Sequence, residues 1–187
     1  MSHMSSIPPQ AKKVFSGVIF DVYQWEQEMF DGSTATFERL KRPATLQVIA
    51  EVNGKIAMSD EEQPAKGKFF SLLGGRQEPN EDPLEGAKRE LLEESGLVSD
   101  DWELWQTATP YNKIDWTIYI YIAKNCKQTE QASHDAGEKI TVKTLDFDAF
   151  IEAILSKEFC GHELVEQILR MKLEPEKLEA FKKKILG

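Results

Sequence analysis

The sequence of 187 residues contains only two cysteines, Cys126 and Cys160. Two cysteines so far apart form neither the disulfide framework of a small secreted domain nor a zinc site, so we expect both to be small, buried, hydrophobic side chains. Long hydrophobic runs are also absent. The longest apolar stretches, residues 46–52 and 118–123, have the length of a strand and are too short to cross a membrane.

A recognisable export signal is absent as well. Residues 1–3 precede a second methionine, Met4, and are typical of a cloning remnant. The residues that follow, up to residue 13, contain Pro8 and Pro9 but no apolar region. We therefore expect residues 1–13 to be a tag remnant and a flexible N-terminus, and we expect the protein to be cytoplasmic.

Basic residues are the minority, since 23 Lys and Arg residues stand against 32 Asp and Glu residues, for a net charge of -9. A surface that binds nucleic acid or an anionic membrane needs an excess of positive charge, so we expect neither as a partner. An acidic protein that acts on an anionic substrate must recruit a cation. The charge balance is therefore a first indication of metal use.

Hydrophobic periodicity predicts a chain of strands followed by helices. Strands are predicted over residues 14–28, 34–40, 46–52, 55–59, 69–73, 103–107, 117–123 and 139–144. Residues 60–68 are predicted to be a polar loop, and three amphipathic segments after residue 146 are predicted to be helices. Strands around one central helix, with helices at the C-terminus, indicate an α+β (mixed α/β) sandwich.

The central helix has clear start and stop signals. Asp82 is a good N-cap, Pro83 falls at the first helical position, and Gly96 is a C-terminal stop. The spacing predicts a helix over residues 83–95. One face of this helix is suited to packing on a sheet and carries Leu84, Ala87, Leu91 and Ser95.

The other face of this helix concentrates negative charge. Glu90, Glu93 and Glu94 are spaced i, i+3, i+4, so their carboxylates converge and repel one another. Two of them lie in the last turn, where the helix dipole disfavours anions. We expect a compensating hard cation such as Mg²⁺, which binds carboxylate oxygens and keeps open positions for phosphate and water. Gly86, one turn earlier, would let a metal-bound diphosphate approach the helix.

These residues belong to a longer motif, Gly75-x5-Glu81-x7-Arg89-Glu90-Leu91-Leu92-Glu93-Glu94-Ser95-Gly96-Leu97. The motif resembles the Nudix box, and the chain is similar to the Nudix hydrolases, which cleave nucleoside diphosphates linked to another moiety. The resemblance implies an α/β/α sandwich. It divides the chain into an N-terminal β-hairpin extension for dimerisation (residues 14–43), a Nudix core (44–156) and C-terminal helices (157–187).

The resemblance also implies roles for the residues of the box. Metal ligands would be Glu90, Glu93, Glu94 and the Gly74 carbonyl, holding two or three Mg²⁺ ions, with Mn²⁺ as the alternative. Glu93 and Glu94 would also take part in catalysis. Structural roles would fall to the remaining box residues, Gly75, Glu81, Arg89 and Gly96.

Many Nudix hydrolases place a further acidic residue on a downstream loop, as general base or metal ligand. Between residues 124 and 139 this sequence offers Glu130, Asp135 and Glu138. Glu138 directly precedes a predicted strand, as the corresponding acid does in ADP-ribose pyrophosphatases, and we favour it as the catalytic base. Asp135 is the second candidate.

The box leaves the substrate open. The predicted hairpin followed by Glu38-Arg39-x-x-Arg42-Pro43 resembles the N-terminal extension of ADP-ribose and nucleotide-sugar pyrophosphatases, which helps to build a homodimer. Candidate substrate-binding residues are Arg39, Arg42, Gln63 and Phe69. Two features depart from that group: no arginine follows Gln63 closely, and residues 71–75 read Ser-Leu-Leu-Gly-Gly rather than Glu-Leu-Pro-Ala-Gly.

The leading hypothesis is therefore metal-dependent hydrolysis of a diphosphate linkage in an ADP-ribose or nucleotide-sugar type of substrate, to give two monophosphates. A small-molecule nucleotide would be the binding partner. Two alternatives remain. One is a nucleoside triphosphate pyrophosphohydrolase that removes modified nucleotides, and the other is a non-catalytic Nudix-fold binding module.

Overall fold

The computed structural model describes residues 6–64, 66–129, 132 and 139–187. In this part of the chain the strands are β1 (Lys12–Ser16), β2 (Asp21–Glu28), β3 (Thr34–Lys41), β4 (Thr45–Val52), β5 (Lys55–Gln63), β6 (Gly67–Ser71), β7 (Leu97–Val98), β8 (Asp101–Ala108), β9 (Ile114–Asp115), β10 (Ile118–Lys124), β11 (Lys127–Gln128) and β12 (Lys139–Leu145). The helices are α1 (Pro83–Ser95), α2 (Phe147–Ile154), α3 (His162–Lys172) and α4 (Pro175–Leu186).

A central mixed sheet organises the molecule, with strand order β12-β5-β4-β10-β8 and with β6 paired to β5. Alternate residues of β4 enter two different cores, because successive side chains of a strand point to opposite faces. Leu46 and Val48 pack with Ala87 and Leu91 of α1, whereas Ile49 packs with the C-terminal helices. One helix on one face and three on the other confirm the predicted α+β sandwich.

A second sheet, which we call the N-terminal sheet, has the order β1-β2-β3-β9. The sequence predicted one strand over residues 14–28, and this was wrong. The Gly17 amide donates to the Phe20 carbonyl (2.9 Å) and closes a turn, so that β1 and β2 pair antiparallel. The alternation of apolar residues continues through this turn, and periodicity alone therefore missed it.

The predicted polar loop over residues 60–68 is mostly strand. β5 continues to Gln63, and β6 begins at Gly67. Two acidic residues of β5 pair across the sheet with lysines of β12, Asp60 with Lys143 (2.5 Å) and Glu62 with Lys139 (4.0 Å). Such cross-strand ion pairs stabilise the charged strand, although its composition alone is typical of a loop.

The C-terminal helices share a core with the central sheet. Phe181 of α4 is 2% exposed and lies 4.7 Å from the Trp105 ring and 6.2 Å from the Phe147 ring, measured between ring centroids. Nowhere in the described chain is a helix both long enough and apolar enough to span a membrane.

The two cysteines differ in their surroundings. Cys126 is buried, as predicted, but Cys160 is exposed and its Sγ lies 2.8 Å from Lys66 Nζ. Cys160 belongs to the segment between α2 and α3, whose backbone bonds to the edge of β6 through the Cys160 amide and the Phe70 carbonyl (2.7 Å). Edge pairing leaves the side chain outside the core, and the prediction for Cys160 was wrong.

We expect Phe181→Ala to destabilise the whole protein. Removing a buried ring leaves a cavity and lowers the free energy of unfolding by about 3–5 kcal/mol. Leu173→Ala is the matched control, because Leu173 is 83% exposed; its effect should stay within about 0.5 kcal/mol. Chemical denaturation followed by circular dichroism measures both. Equal stability of the two variants would show that α4 is not part of the core.

Candidate active site

Helix α1 forms as its capping residues predict. The Asp82 side chain accepts hydrogen bonds from the amides of Leu84 (2.9 Å) and Glu85 (3.3 Å), and Pro83 occupies the first turn. At the other end Gly96 adopts φ 69°, a left-handed conformation that favours glycine, and its amide donates to the Leu92 carbonyl (2.7 Å). These caps set the helix register and thereby the positions of the three glutamates.

Arg89 connects three carboxylates. Its Nε and Nη2 contact the two oxygens of Glu81 (2.9 and 3.1 Å), while its Nη1 contacts both Glu90 and Glu93 at 2.9 Å. Nη2 also donates to the Arg76 carbonyl (3.3 Å). The guanidinium therefore ties the loop before α1 to the helix and offsets the repulsion between neighbouring glutamates.

Glu90 lies directly against the backbone of Gly75. A Cβ placed on Gly75 would sit 2.6 Å from Glu90 Oε2, a distance that ordinary side chains cannot adopt. Burial raises the pKa of the Glu90 carboxyl, and the positive charge of Arg89 offsets only part of this shift. A further positive charge beside Glu90 would favour its ionised form.

Glu94 is 8% exposed and binds the next backbone position. Its Oε2 accepts a hydrogen bond from the Gly74 amide (2.7 Å). Gly74 has φ 136°, and a Cβ there would lie 2.0 Å from the Leu46 carbonyl oxygen. The carbonyls on either side, those of Leu73 and Gly75, accept amides of β4, whereas in the described chain no hydrogen bond to the Gly74 carbonyl is formed.

Gly86 has a different role from the one expected. A Cβ on Gly86 would lie 2.5 Å from both Glu81 Oε2 and Leu46 Cδ1. The residue is buried between the helix, β4 and the loop before α1. Close packing therefore accounts for this glycine, and the prediction that it opens the helix to a ligand was wrong.

The donor set of α1 fits a hard divalent cation, because Glu90, Glu93 and Glu94 supply carboxylate oxygens. Glu93 is the most accessible of the three, with 48% of its side chain exposed. Within residues 6–64, 66–129, 132 and 139–187, however, no group of three His, Cys, Asp or Glu side chains is assembled to hold a metal. A cation would compete with Arg89 for Glu90 and Glu93, and with the Gly74 amide for Glu94.

The other predicted site residues are scattered. Glu138, Asp135 and Glu130 lie outside the described residues. Arg39 donates to the Ser6 carbonyl (2.5 Å), and Arg42 stacks on the Trp116 ring (4.5 Å from Cζ to the centroid).

Gln63 and Phe69 lie farther along β5 and β6. Gln63 donates to Glu61 (3.3 Å), and the buried Phe69 ring is covered by Lys66 Nζ at 3.4 Å from its centroid. The contacts found for these residues and for the two arginines do not involve a glutamate of α1. Their roles in substrate binding remain predictions.

A buried carboxylate on β5 was missed from the sequence. Glu61 is 6% exposed and accepts hydrogen bonds from Ser59 (3.0 Å), Ser71 (2.6 Å) and Gln63 (3.3 Å). The sequence contains the period-2 spacing of Ser59, Glu61 and Gln63, which a strand brings to one face. The spacing was not recognised as that of a strand, because residues 60–68 were predicted to be a loop.

Comparison with known families identifies the class of protein. The NUDIX domain family matches residues 40–166, more than half of the chain. The chain belongs to the Nudix family, and the resemblance inferred from its motif is confirmed. It is a Nudix hydrolase.

Individual relatives are similar over most of the chain. A methanol dehydrogenase activator from Bacillus methanolicus is 28% identical over 94% of this chain and 95% of its own length. An ADP-ribose pyrophosphatase from Bacillus subtilis (strain 168) is 25% identical over 79% of this chain and 82% of its own. A crystal structure of an ADP compounds hydrolase, 18% identical, has a TM-score of 0.71 and covers 94% of this chain and 98% of that chain, which shows the same fold.

We expect Glu81→Gln to destabilise the protein at neutral pH by about 1 kcal/mol, because it breaks a charge-assisted pair with Arg89. Arg89 lowers the pKa of Glu81 in the folded chain. The stabilisation is therefore present above the pKa of an unfolded glutamate and disappears as the pH falls through the lower folded-state pKa. The difference in unfolding free energy between wild type and variant should be measured at pH 7 and pH 3.

The matched control is Glu85→Gln. Glu85 pairs with Lys88 at 2.7 Å, but its side chain is 64% exposed, so the expected change is under about 0.5 kcal/mol at either pH. A Glu81 effect that is as large at pH 3 as at pH 7 would contradict the ion-pair explanation.

Proposed function

We propose that the chain hydrolyses the diphosphate linkage of a nucleoside diphosphate derivative, of the ADP-ribose or nucleotide-sugar type, with the help of divalent cations. The observation that carries this proposal is the position of two carboxylates. Glu90 packs against Gly75, and Glu94 accepts a hydrogen bond from the Gly74 amide. Two carboxylates of the proposed ligand set thus contact two neighbouring residues of the box loop, and among the described residues the Gly74 carbonyl accepts no hydrogen bond.

Glu90, Glu93, Glu94 and the Gly74 carbonyl would hold the metal, two or three Mg²⁺ ions with Mn²⁺ as the alternative. Bound divalent ions would neutralise the diphosphate and orient water for attack on phosphorus. Other residues of the box would hold these metal ligands in position. Arg89 and Glu81 brace the loop against α1, Gly75 leaves room for the Glu90 carboxylate, and Gly96 ends the helix directly after its last glutamate.

The relatives support this class of substrate. The B. subtilis protein is named an ADP-ribose pyrophosphatase, and the chain shares its fold with a protein described as an ADP compounds hydrolase. Both names indicate substrates that contain an adenosine diphosphate unit. The sequence Ser71-Leu72-Leu73-Gly74-Gly75 departs from the expected pattern, so a sugar other than ribose stays within the proposed class.

A second candidate comes from the B. methanolicus relative, which is named an activator of methanol dehydrogenase. The match to that protein covers 94% of this chain and thus extends into the C-terminal helices beyond residue 166. Dehydrogenases of many kinds use dinucleotides, whose pyrophosphate is a diphosphate linkage. A dinucleotide therefore belongs among the substrates to be compared.

We also propose that residues 14–43 form a homodimer contact in a protein of the cytoplasm. Supporting this, the N-terminal sheet exposes a group of large apolar side chains on β1 and the turn that follows, namely Val14, Phe15, Val18 and Ile19. Sedimentation equilibrium tests the dimer, and a monomeric mass at micromolar concentration would contradict it.

The function is tested by incubating the protein with ADP-ribose, nucleotide sugars, dinucleotides and nucleoside triphosphates, each with Mg²⁺, Mn²⁺ or a chelator. We expect two monophosphates from a diphosphate substrate and no turnover with the chelator, as ion-exchange chromatography of the products would show. Glu90→Gln should lower kcat at least about 100-fold because it removes a charged ligand. Lys88→Gln, on an exposed part of the same helix, should retain activity.

Each alternative has its own outcome in this assay. Release of pyrophosphate from triphosphates, with diphosphate compounds left intact, would favour nucleotide cleansing. Metal binding by calorimetry without turnover of any compound would favour a binding module.

Glu138→Gln tests the assignment of the catalytic base. If Glu138 accepts the proton of the attacking water, its amide cannot do so, and kcat should fall by about 100-fold or more with little change in KM. Asp135→Asn is the matched comparison, three residues away and also acidic, and it should keep kcat within a few-fold. The reverse pattern would assign the role to Asp135.

A further inference from the structure

The chain that leaves β6 crosses from one strand of the central sheet to another before it enters the box loop. Ser71, the last residue of β6, pairs with Ser59 of β5. Leu73, two residues later, bridges Val48 of β4, and its carbonyl accepts the Val48 amide (2.8 Å). The next residue is Gly74, a proposed metal ligand, so the way in which this crossing is held decides where the Gly74 backbone lies.

A buried carboxylate lies at the crossing. Glu61 Oε1 accepts hydrogen bonds from the Ser71 hydroxyl (2.6 Å) and the Ser59 hydroxyl (3.0 Å), and Oε2 accepts one from Gln63 Nε2 (3.3 Å). The side chain of Glu61 is 6% exposed. One carboxylate thus fixes the hydroxyl at the end of β6 to the strand that β6 leaves.

Glu61 also lies on the side of the central sheet that α1 covers. Ala57 of β5 packs in the core beneath α1, and alternate residues of a strand share a face, so Ser59 and Glu61 follow on that face. Leu73 packs in the same core, which places Ser71 on the same side. The crossing and the glutamates of α1 therefore lie on one side of the sheet.

The negative charge of Glu61 is not needed to pair the strands. Its neighbours Asp60 and Glu62 each pair with a lysine of β12, whereas within the described residues Glu61 forms no ion pair. Taking a carboxylate out of water costs free energy, and neutral donors return only part of it. A glutamine oxygen would accept the same two serine hydroxyls, but charge-assisted hydrogen bonds are about twice as strong as neutral ones.

The glutamate that is missing from the expected pattern falls at the same place. The sequence Glu-Leu-Pro-Ala-Gly has its glutamate at position 71, where this chain has Ser71. Glu61 brings a carboxylate to within 2.6 Å of the Ser71 hydroxyl. The chain therefore keeps a carboxylate at the start of the box loop, although this carboxylate comes from β5.

We propose that Glu61 is a positioning residue of the hydrolase, whose carboxylate replaces a glutamate at position 71 and anchors the start of the box loop. The loop is then held at two nearby points, at Ser71 by Glu61 and at the Gly74 amide by Glu94 (2.7 Å). Gly74 and Glu94 are proposed metal ligands, so the effect of Glu61 on catalysis rests on the proposed function. Its effect on the Gly74 backbone does not.

Exchange of the Gly74 amide hydrogen, measured by NMR in a chelator, tests the anchor without metal or substrate. Glu61→Ser should raise the exchange rate at least about 5-fold, because the loop opens more readily once its start is released. Ser71→Ala, which removes one hydroxyl and leaves a smaller gap, should change the rate in the same direction. The exchanged pair Glu61→Ser with Ser71→Glu should return it to within about 2-fold of wild type, since a carboxylate again lies at the crossing.

Glu51→Gln is the matched control for a merely structural role. Glu51 is 8% exposed and accepts hydrogen bonds from the amides of Gly54 and Asn125 (2.7 Å each), at the opposite end of β5. This variant should lose stability without faster exchange at Gly74. Equal exchange rates at Gly74 in Glu51→Gln and Glu61→Ser would overturn the anchor, and an exchanged pair no better than Glu61→Ser would overturn the replacement of one carboxylate by the other.

Mn²⁺ binding and kinetics test the consequence for the site. Glu61→Ser should weaken Mn²⁺ binding in calorimetry about 5-fold and lower kcat at least about 10-fold with KM within about 2-fold, because a displaced ligand affects the aligned groups more than substrate binding. Glu51→Gln should match wild type in all three values. Unchanged Mn²⁺ affinity and kcat in Glu61→Ser would refute the positioning role. A wild type that turns over no substrate would refute the proposed function, while exchange at Gly74 would still decide the anchor.

Discussion

The candidate site depends on the guanidinium of Arg89. Three carboxylates on one side of a helix repel one another, and two of them also oppose the helix dipole. Arg89 contacts Glu81, Glu90 and Glu93 at once, so one cation offsets this repulsion and joins the loop to the helix. Through these contacts Arg89 braces the box, and a metal ion bound by Glu90 and Glu93 would have to compete with it.

The second constraint is the close approach of backbone to side chain at three glycines. At Gly74, Gly75 and Gly86 the space of a missing Cβ is filled by the Leu46 carbonyl, the Glu90 carboxylate, and the Glu81 and Leu46 side chains, respectively. The carboxylates therefore contact the main chain directly. A side chain at Gly74 would clash with the backbone of β4, whereas a side chain at Gly75 or Gly86 would displace the ends of the Glu90, Glu81 or Leu46 side chains.

The N-terminal sheet and the Nudix core meet at Arg42 and Trp116. β3 pairs with the short strand β9, and Arg42, directly after β3, stacks on Trp116, directly after β9. The junction thus places positive charge beside an acidic helix in an acidic protein.

Local patterns in the sequence were enough to predict α1, its caps, its packed face and the identity of the family, because capping and helical spacing act over a few residues. They also predicted most strands, although the turn at Gly17 and the continuation of β5 to Gln63 were missed. Tertiary structure alone decided which groups meet: Glu61 with Ser71, Gly86 with Leu46, and Arg42 with Trp116. The contact of Glu61 with Ser71 forms only when β5 and β6 pair, and the other two join residues far apart in the chain, so their chemistry arises only when strands and helices pack.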